Sequence, residues 1–247
     1  MEFVFTITQG RTGTLSLSRL FQCDPAALAI HEDTGSTAHG TVTPDVGHMR
    51  RFNTYGLTPE IAAFWTRKLT IHREEAAKRG KRRYVETSHM NAKCGLIEYI
   101  RHANAHSENR FRFIVLNRAP EKIARSLYEH KQLLNYDNRW LWYLDPEYPR
   151  NLVNATPYLK WRYLGLLAWY VREIEARKAA YIAMLRDRYD VLSVDIDQPD
   201  WAAIVSHSYG FGIPADGEVP HIGGHNPSTE RSAVERELRD IFAAQPG

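Results

Sequence analysis

Residues 3–21, FVFTITQGRTGTLSLSRLF, decide the fold. The β-branched and aromatic run Phe3–Thr8 predicts a buried strand, Gly10 and Gly13 a tight turn, and Leu15, Leu17, Leu20 and Phe21 the start of a helix. Strand, glycine-bearing turn and helix, in that order, aim main-chain N–H groups at an anion. The two glycines let the chain curl, while Arg11, Thr12, Thr14 and Ser16 add side-chain donors. An ordinary strand-to-helix turn has the same pattern. A nucleoside-triphosphatase loop needs wider glycine spacing and a lysine after the second glycine, and neither is present. Arg11 stands inside the turn instead. A guanidinium forks onto phosphate or sulfate oxygens and stays charged, so it can hold an anion but cannot serve as a base.

Outward from this stretch, Ala26–Ile30 reads as a second strand that ends in His31-Glu32. Asp33–Leu57 lacks periodicity and reads as one long loop. Thr58-Pro59-Glu60 is a helix start, with the helix continuing to Arg79. The basic cluster Lys78–Arg83 reads as a solvated helix end. Arg83–Thr87 predicts a third strand, followed by Ser88-His89, and a helix is expected over Ala92–Ala105. Arg110–Arg118 is the second strong strand, and Pro120 opens a helix carrying Ile123, Leu127 and Leu133. Residues 135–157 are irregular and aromatic. A long helix is expected from Thr156-Pro157 to Arg188, with Gly165 as its break, then a strand at Val191–Ile196 and helices at Trp201–Tyr209 and from Ser228.

Strands alternating with helices predict a single α/β domain over residues 1–247, a parallel sheet with helices on both faces. Ligands of such sheets bind at the C-terminal strand ends, here Gly10–Thr14, His31–Glu32, Thr87–His89 and Arg118. Apolar residues are 43% and charged residues 25%, ordinary for a globular protein. The net charge of +3 is too small to indicate a nucleic-acid partner, yet helps attract an anionic nucleotide. Cys23 and Cys94 have no metal or redox spacing, which fits a reducing compartment and a cytoplasmic location. The N-terminal residues lack the basic lead of a signal peptide, and no stretch is apolar enough to span a membrane. His102 and His106 share a helix face but have no third partner of suggestive spacing, so no metal site is expected.

A second informative stretch is VLNRAPEKIARSLYEH, residues 115–130. Arg118 closes a buried strand and Ser126 lies in the second turn of the next helix, so both can meet one phosphate group. Together the two stretches resemble the P-loop sulfotransferase family, whose members use 3′-phosphoadenosine-5′-phosphosulfate (PAPS). Gly10-Arg11-Thr12-Gly13-Thr14 looks like that family's loop for the 5′-phosphosulfate, and Arg118 with Ser126 looks like its pair for the 3′-phosphate. Cytosolic members usually carry lysine where this chain has Arg11; arginine is familiar in membrane-bound and bacterial branches. The resemblance implies a three-layer P-loop-type fold and transfer of a sulfuryl group from PAPS to a hydroxyl or amine of a small-molecule or carbohydrate acceptor, leaving PAP. It implies cofactor contacts at Gly10, Arg11, Thr12, Gly13, Thr14, Leu15, Arg118 and Ser126, with Arg11 also stabilising the leaving phosphate. Asn226 and Ser228 suit a segment that folds over the nucleotide in that family, and Ser228 equally suits a helix cap.

A base for the acceptor must project from a strand end near the loop. Glu32 comes first, since several branches of the family place a glutamate there. His89 follows, in a stretch resembling the family's acceptor side, and His31 is third. Neighbouring strand residues face opposite ways, so only one of His31 and Glu32 is expected to enter the site. Two other classes stay open. One is a nucleotide-dependent kinase of related fold, opposed by the missing loop lysine and by Asn117-Arg118 where a metal-binding aspartate would stand. The other is a non-catalytic nucleotide-binding protein.

Overall fold

A computed structural model describes residues 1–32, 42–102, 108–129, 144–212 and 229–244. Its strands are β1 (Glu2–Ile7), β2 (Ala27–Ile30), β3 (Arg83–Glu86), β4 (Arg110–Asn117) and β5 (Asp190–Asp195). Its helices are α1 (Thr14–Gln22), α2 (Val46–Tyr55), α3 (Pro59–Lys78), α4 (Leu96–His102), α5 (Pro120–Glu129), α6 (Thr156–Leu159), α7 (Arg162–Leu185), α8 (Trp201–Tyr209) and α9 (Thr229–Ala244). The strands form one sheet in the order β2-β3-β1-β4-β5, and every pairing is parallel. The expected α/β architecture is therefore present.

β1 is the central strand, and its composition follows from that position. Phe3, Phe5 and Ile7 enter a core with Trp65, Leu96, Phe113, Leu167 and Val171 on one face. Val4 joins Val85, Ile114 and Leu116 on the other face, against Leu17 and Phe21 of α1 and Val205 of α8. A strand covered on both sides reads as a continuous apolar run.

Helix α3 starts as its sequence predicts: Thr58 accepts from the Ile61 N–H at 3.4 Å, with Pro59 in the first turn. The basic cluster at its end is largely paired. Arg79 meets Glu75, Lys81 donates to the Pro25 carbonyl, and Arg83 meets Glu2 and Asp24.

Three expectations are corrected. The segment 33–57 is not all loop, because 46–55 forms α2. Asp45 accepts from the His48 N–H at 2.8 Å while His48 Nδ1 accepts from the Asp45 N–H at 3.4 Å. Phe52 then packs onto Gly95, where a Cβ would fall 2.7 Å from the ring. The helix expected from Ala92 begins at Leu96, after a 3₁₀ turn over His89–Ala92 that Ser88 caps through the Met90 N–H. Gly165 does not break α7; the discontinuity lies at Arg162, whose φ is 51°. A Cβ on Gly165 would sit 1.9 Å from the Tyr158 carbonyl oxygen, so glycine lets α6 rest against α7. Residues 103–107, Leu133, residues 135–143, Asn226 and Ser228 lie outside the described residues.

The chain entering α6 is held from within. Glu173 of α7 accepts from the N–H groups of Leu152 and Val153, both at 2.8 Å, and from Arg177 Nε at 2.6 Å.

Candidate functional site

The turn between β1 and α1 has three residues in the left-handed region: Gly10 (φ 87°), Arg11 (φ 57°) and Gly13 (φ 72°). Such alternation makes a concavity of main-chain N–H groups. Thr12 is fully buried and its hydroxyl pairs with that of Thr8, so it shapes the turn from inside. The Leu17 N–H donates to the Gly13 carbonyl at 2.9 Å, which starts α1 within four residues of the turn.

The two motifs meet. Arg11 Nε donates to Ser126 Oγ at 2.9 Å, and Arg118 Nη1 donates to the Arg11 carbonyl oxygen at 3.1 Å. Asp197, just beyond β5, lies 3.5 Å from Arg118 Nε and 3.0 Å from Lys122 Nζ. Burial pushes its carboxyl up, but Lys122 and Arg118 outweigh burial and hold it below the usual carboxylate range. A carboxylate thus sits where two cations converge.

On the other side of β1, His89 packs its ring against Gly10, with Cβ and Cγ at 3.5 and 3.6 Å from where a glycine Cβ would be. His89 Nε2 lies 3.4 Å from Glu32 Oε1. Lys93 Nζ contacts His89 Nδ1 and donates to the Tyr170 hydroxyl at 3.1 Å. That hydroxyl donates to the Gln9 carbonyl oxygen at 2.8 Å. Burial, then the Lys93 ammonium, then His31 hold His89 well below the ordinary imidazole range. Burial likewise pushes Lys93 down to about 7.

His31 makes its contact with Thr87 at the end of β3, and Glu32 makes its contact with His89 just beyond it. Strand alternation ends at Ile30, and Glu32 has φ 42°. His31 Nδ1 bonds the Thr87 carbonyl oxygen at 2.8 Å, so its ring is tied to the next strand. Glu32 reaches the anion turn through His89, with its side chain one-third exposed.

The sequence reading missed Lys93, Tyr170, Lys122 and Asp197. Asp197 has a usable signal, since it follows a strand end; Lys93, in irregular chain after a single 3₁₀ turn, has none. Among the described residues there is no metal-holding cluster of His, Cys, Asp and Glu, and no helix long and apolar enough to cross a membrane.

No family model and no curated protein matches the chain. Among the solved structures similar to this chain, two share 14% identity with it. One is a sulfotransferase from Alicyclobacillus acidocaldarius, with TM-score 0.48 over 97% of this chain and 92% of that one. The other is the sulfotransferase domain of the Synechococcus PCC 7002 olefin synthase, with TM-score 0.47 over 100% of this chain and 90% of that one.

Proposed function

We propose that the protein is a PAPS-dependent sulfotransferase acting on a hydroxyl or amine of a small-molecule or carbohydrate acceptor. The observation that carries this reading is the junction of the two anion motifs, Arg11 on Ser126 and Arg118 on the Arg11 carbonyl. One nucleotide with phosphates at both 5′ and 3′ positions would engage both.

The residues present fit such a group. Gly10 and Gly13 form a cradle at positive φ, with Arg11 between them as a fixed cation. When bound, PAPS would supply the sulfuryl group and a phosphate leaving group. The turn's N–H groups and Arg11 would hold that phosphate and oppose its developing charge. Arg118 and Ser126 would hold the 3′-phosphate. Glu32 would accept the acceptor's proton, with His89 beside it held neutral by burial and Lys93. Sulfuryl transfer asks for little else of the protein, by analogy with loose phosphoryl transfer.

The Asp197 carboxylate between Arg118 and Lys122 favours a second reading, a nucleotide without a 3′-phosphate, as a kinase would bind. Thermal shift decides between them. A ligand at a hundredfold excess over Kd stabilises by about 2.7 kcal/mol. PAP should raise the melting temperature more than AMP or ATP does. Equal shifts with PAP and AMP would remove the 3′-phosphate from the reading, and a larger, Mg²⁺-dependent shift with ATP would favour the kinase.

A further inference from the structure

We propose that Lys93 is a positioning residue that fixes the tautomer of His89, turning its Nε2–H toward Glu32, and that Tyr170 ties this pair to the anion turn. The catalytic meaning of this arrangement rests on the function proposed above; the tautomer itself does not.

The chain of donors is forced at one end. A main-chain carbonyl can only accept, so the Tyr170 hydroxyl gives its hydrogen to Gln9. The Tyr170 oxygen therefore accepts from Lys93 Nζ. Lys93 Nζ also contacts His89 Nδ1. An ammonium has three donors and no acceptor, so Nδ1 must be the unprotonated nitrogen of a neutral ring. The ring's proton is then on Nε2, 3.4 Å from Glu32 Oε1. Were Lys93 to lose its charge, its amine would still donate to Nδ1 through a remaining hydrogen, while Glu32, 3.4 Å from Nε2 and one-third exposed, favours the same tautomer without imposing it.

The surroundings support this reading. Lys93 is fully buried, and no mobile surface lysine could hold one geometry so well. Among the described residues, the charged and titratable groups facing His89 include Lys93 from its own segment and His31 and Glu32 from the end of β2. Those facing Lys93 include, besides His89, Glu32, Cys94, and Tyr170 and Arg177 of α7. Gly10 leaves the His89 ring free to lie on the turn. Movement of Lys93 is thereby coupled to both the proposed base and the main chain at Gln9.

Nitrogen-15 spectra of histidine-labelled protein test this without any cofactor. His89 is assigned by its absence in His89→Asn. In the wild-type protein its proton should reside on Nε2, and the ring should stay neutral well below pH 6.5. A wild-type His89 protonated on Nδ1 overturns the proposal with no variant needed. In Lys93→Met the titration midpoint should rise and the tautomers should mix. Lys93→Gln, whose amide can still donate to Nδ1, should restore the Nε2–H tautomer while the midpoint stays raised. An unchanged tautomer and midpoint in Lys93→Met also overturns the proposal. PAP binding measured in parallel separates the two readings. Loss of PAP binding by the wild-type protein removes the sulfotransferase reading and leaves the His89 signature to stand or fall on its own spectra.

Discussion

Arg118 donates to the main-chain oxygen of Arg11 at 3.1 Å, so the end of β4 is fastened to the turn that follows β1. The two residues follow neighbouring strands, β1 and β4, and Ser126 of α5 lies within reach of the Arg11 guanidinium. Replacing Arg118 therefore disturbs both a cation and a support of the turn.

Arg118→Ala should weaken PAP binding by about 1.5–3 kcal/mol, the range of hydrogen bonds to charged groups. Ser126→Ala removes a neutral hydroxyl and should cost less, about 0.5–1.5 kcal/mol. Titration calorimetry reads both. Equal PAP affinity in the wild-type protein and both variants would place the nucleotide elsewhere.

Asp197→Asn should tighten PAP binding. The carboxylate now neutralises Arg118 and Lys122, and a phosphate must displace it or share them. The pairs are partly exposed, so the gain should stay within about 1 kcal/mol and shrink as salt rises. Weaker PAP binding in the asparagine variant would mean that Asp197 orients Arg118 for the ligand.

Glu32→Gln should retain PAP affinity and lose turnover by about 10²–10⁴-fold, the usual size of general-base catalysis. Glutamine keeps the shape and the contact with His89 but cannot take a proton. Full activity in Glu32→Gln, with loss in His89→Asn, would move the role to the imidazole.

Stability should fall as the solution is acidified below pH 6.5, and His89 should account for part of that loss. In the unfolded chain His89 binds a proton near pH 6.5, whereas in the folded protein its pKa is well below that value. The unfolded state then holds more protons, so stability rises with pH across that window and is lost on acidification. Urea midpoints at pH 7.5 and 5.5 should differ less in His89→Asn than in the wild-type protein.

Glu173→Ala should be severely destabilising. It strands the Arg177 guanidinium, leaves two main-chain N–H groups without their acceptor and frees the segment before α6. Breaking a buried pair costs about 3–5 kcal/mol, readable as a lowered urea midpoint. A cost below about 1 kcal/mol would show that the segment is held by its apolar contacts alone.

What could be read from sequence follows from which forces leave a periodic trace. β1 and β4 announce themselves because both faces of each are buried, and Trp201–Tyr209 has the bounds its spacing predicts. Arg118 at a strand end and Ser126 in the next helix were legible as candidates; that Arg11 bonds the serine, and Arg118 the Arg11 carbonyl, was not. Helix α2 hid because its start depends on an Asp45–His48 box and its packing on Gly95, neither of which repeats along the chain. His31 and Glu32 lie beyond Ile30, the last residue of β2, and φ is 42° at Glu32, so strand alternation does not govern where the two side chains point. Lys93 and Tyr170 lie far apart in sequence and meet only through packing, which no local pattern reports.

The central place of β1 also governs when the anion turn comes into being. Glu2 is in register with Arg83 on one side and Arg110 on the other. During synthesis β1 leaves the ribosome with no neighbour to pair with until β3 and then β4 have followed it. Such distant pairings are slow, and an unpaired strand is prone to association. A nascent chain interrupted before β4 would hold every residue of the turn but not the walls that set its curvature. Capacity to bind an anion should therefore appear late in translation, together with the completed sheet.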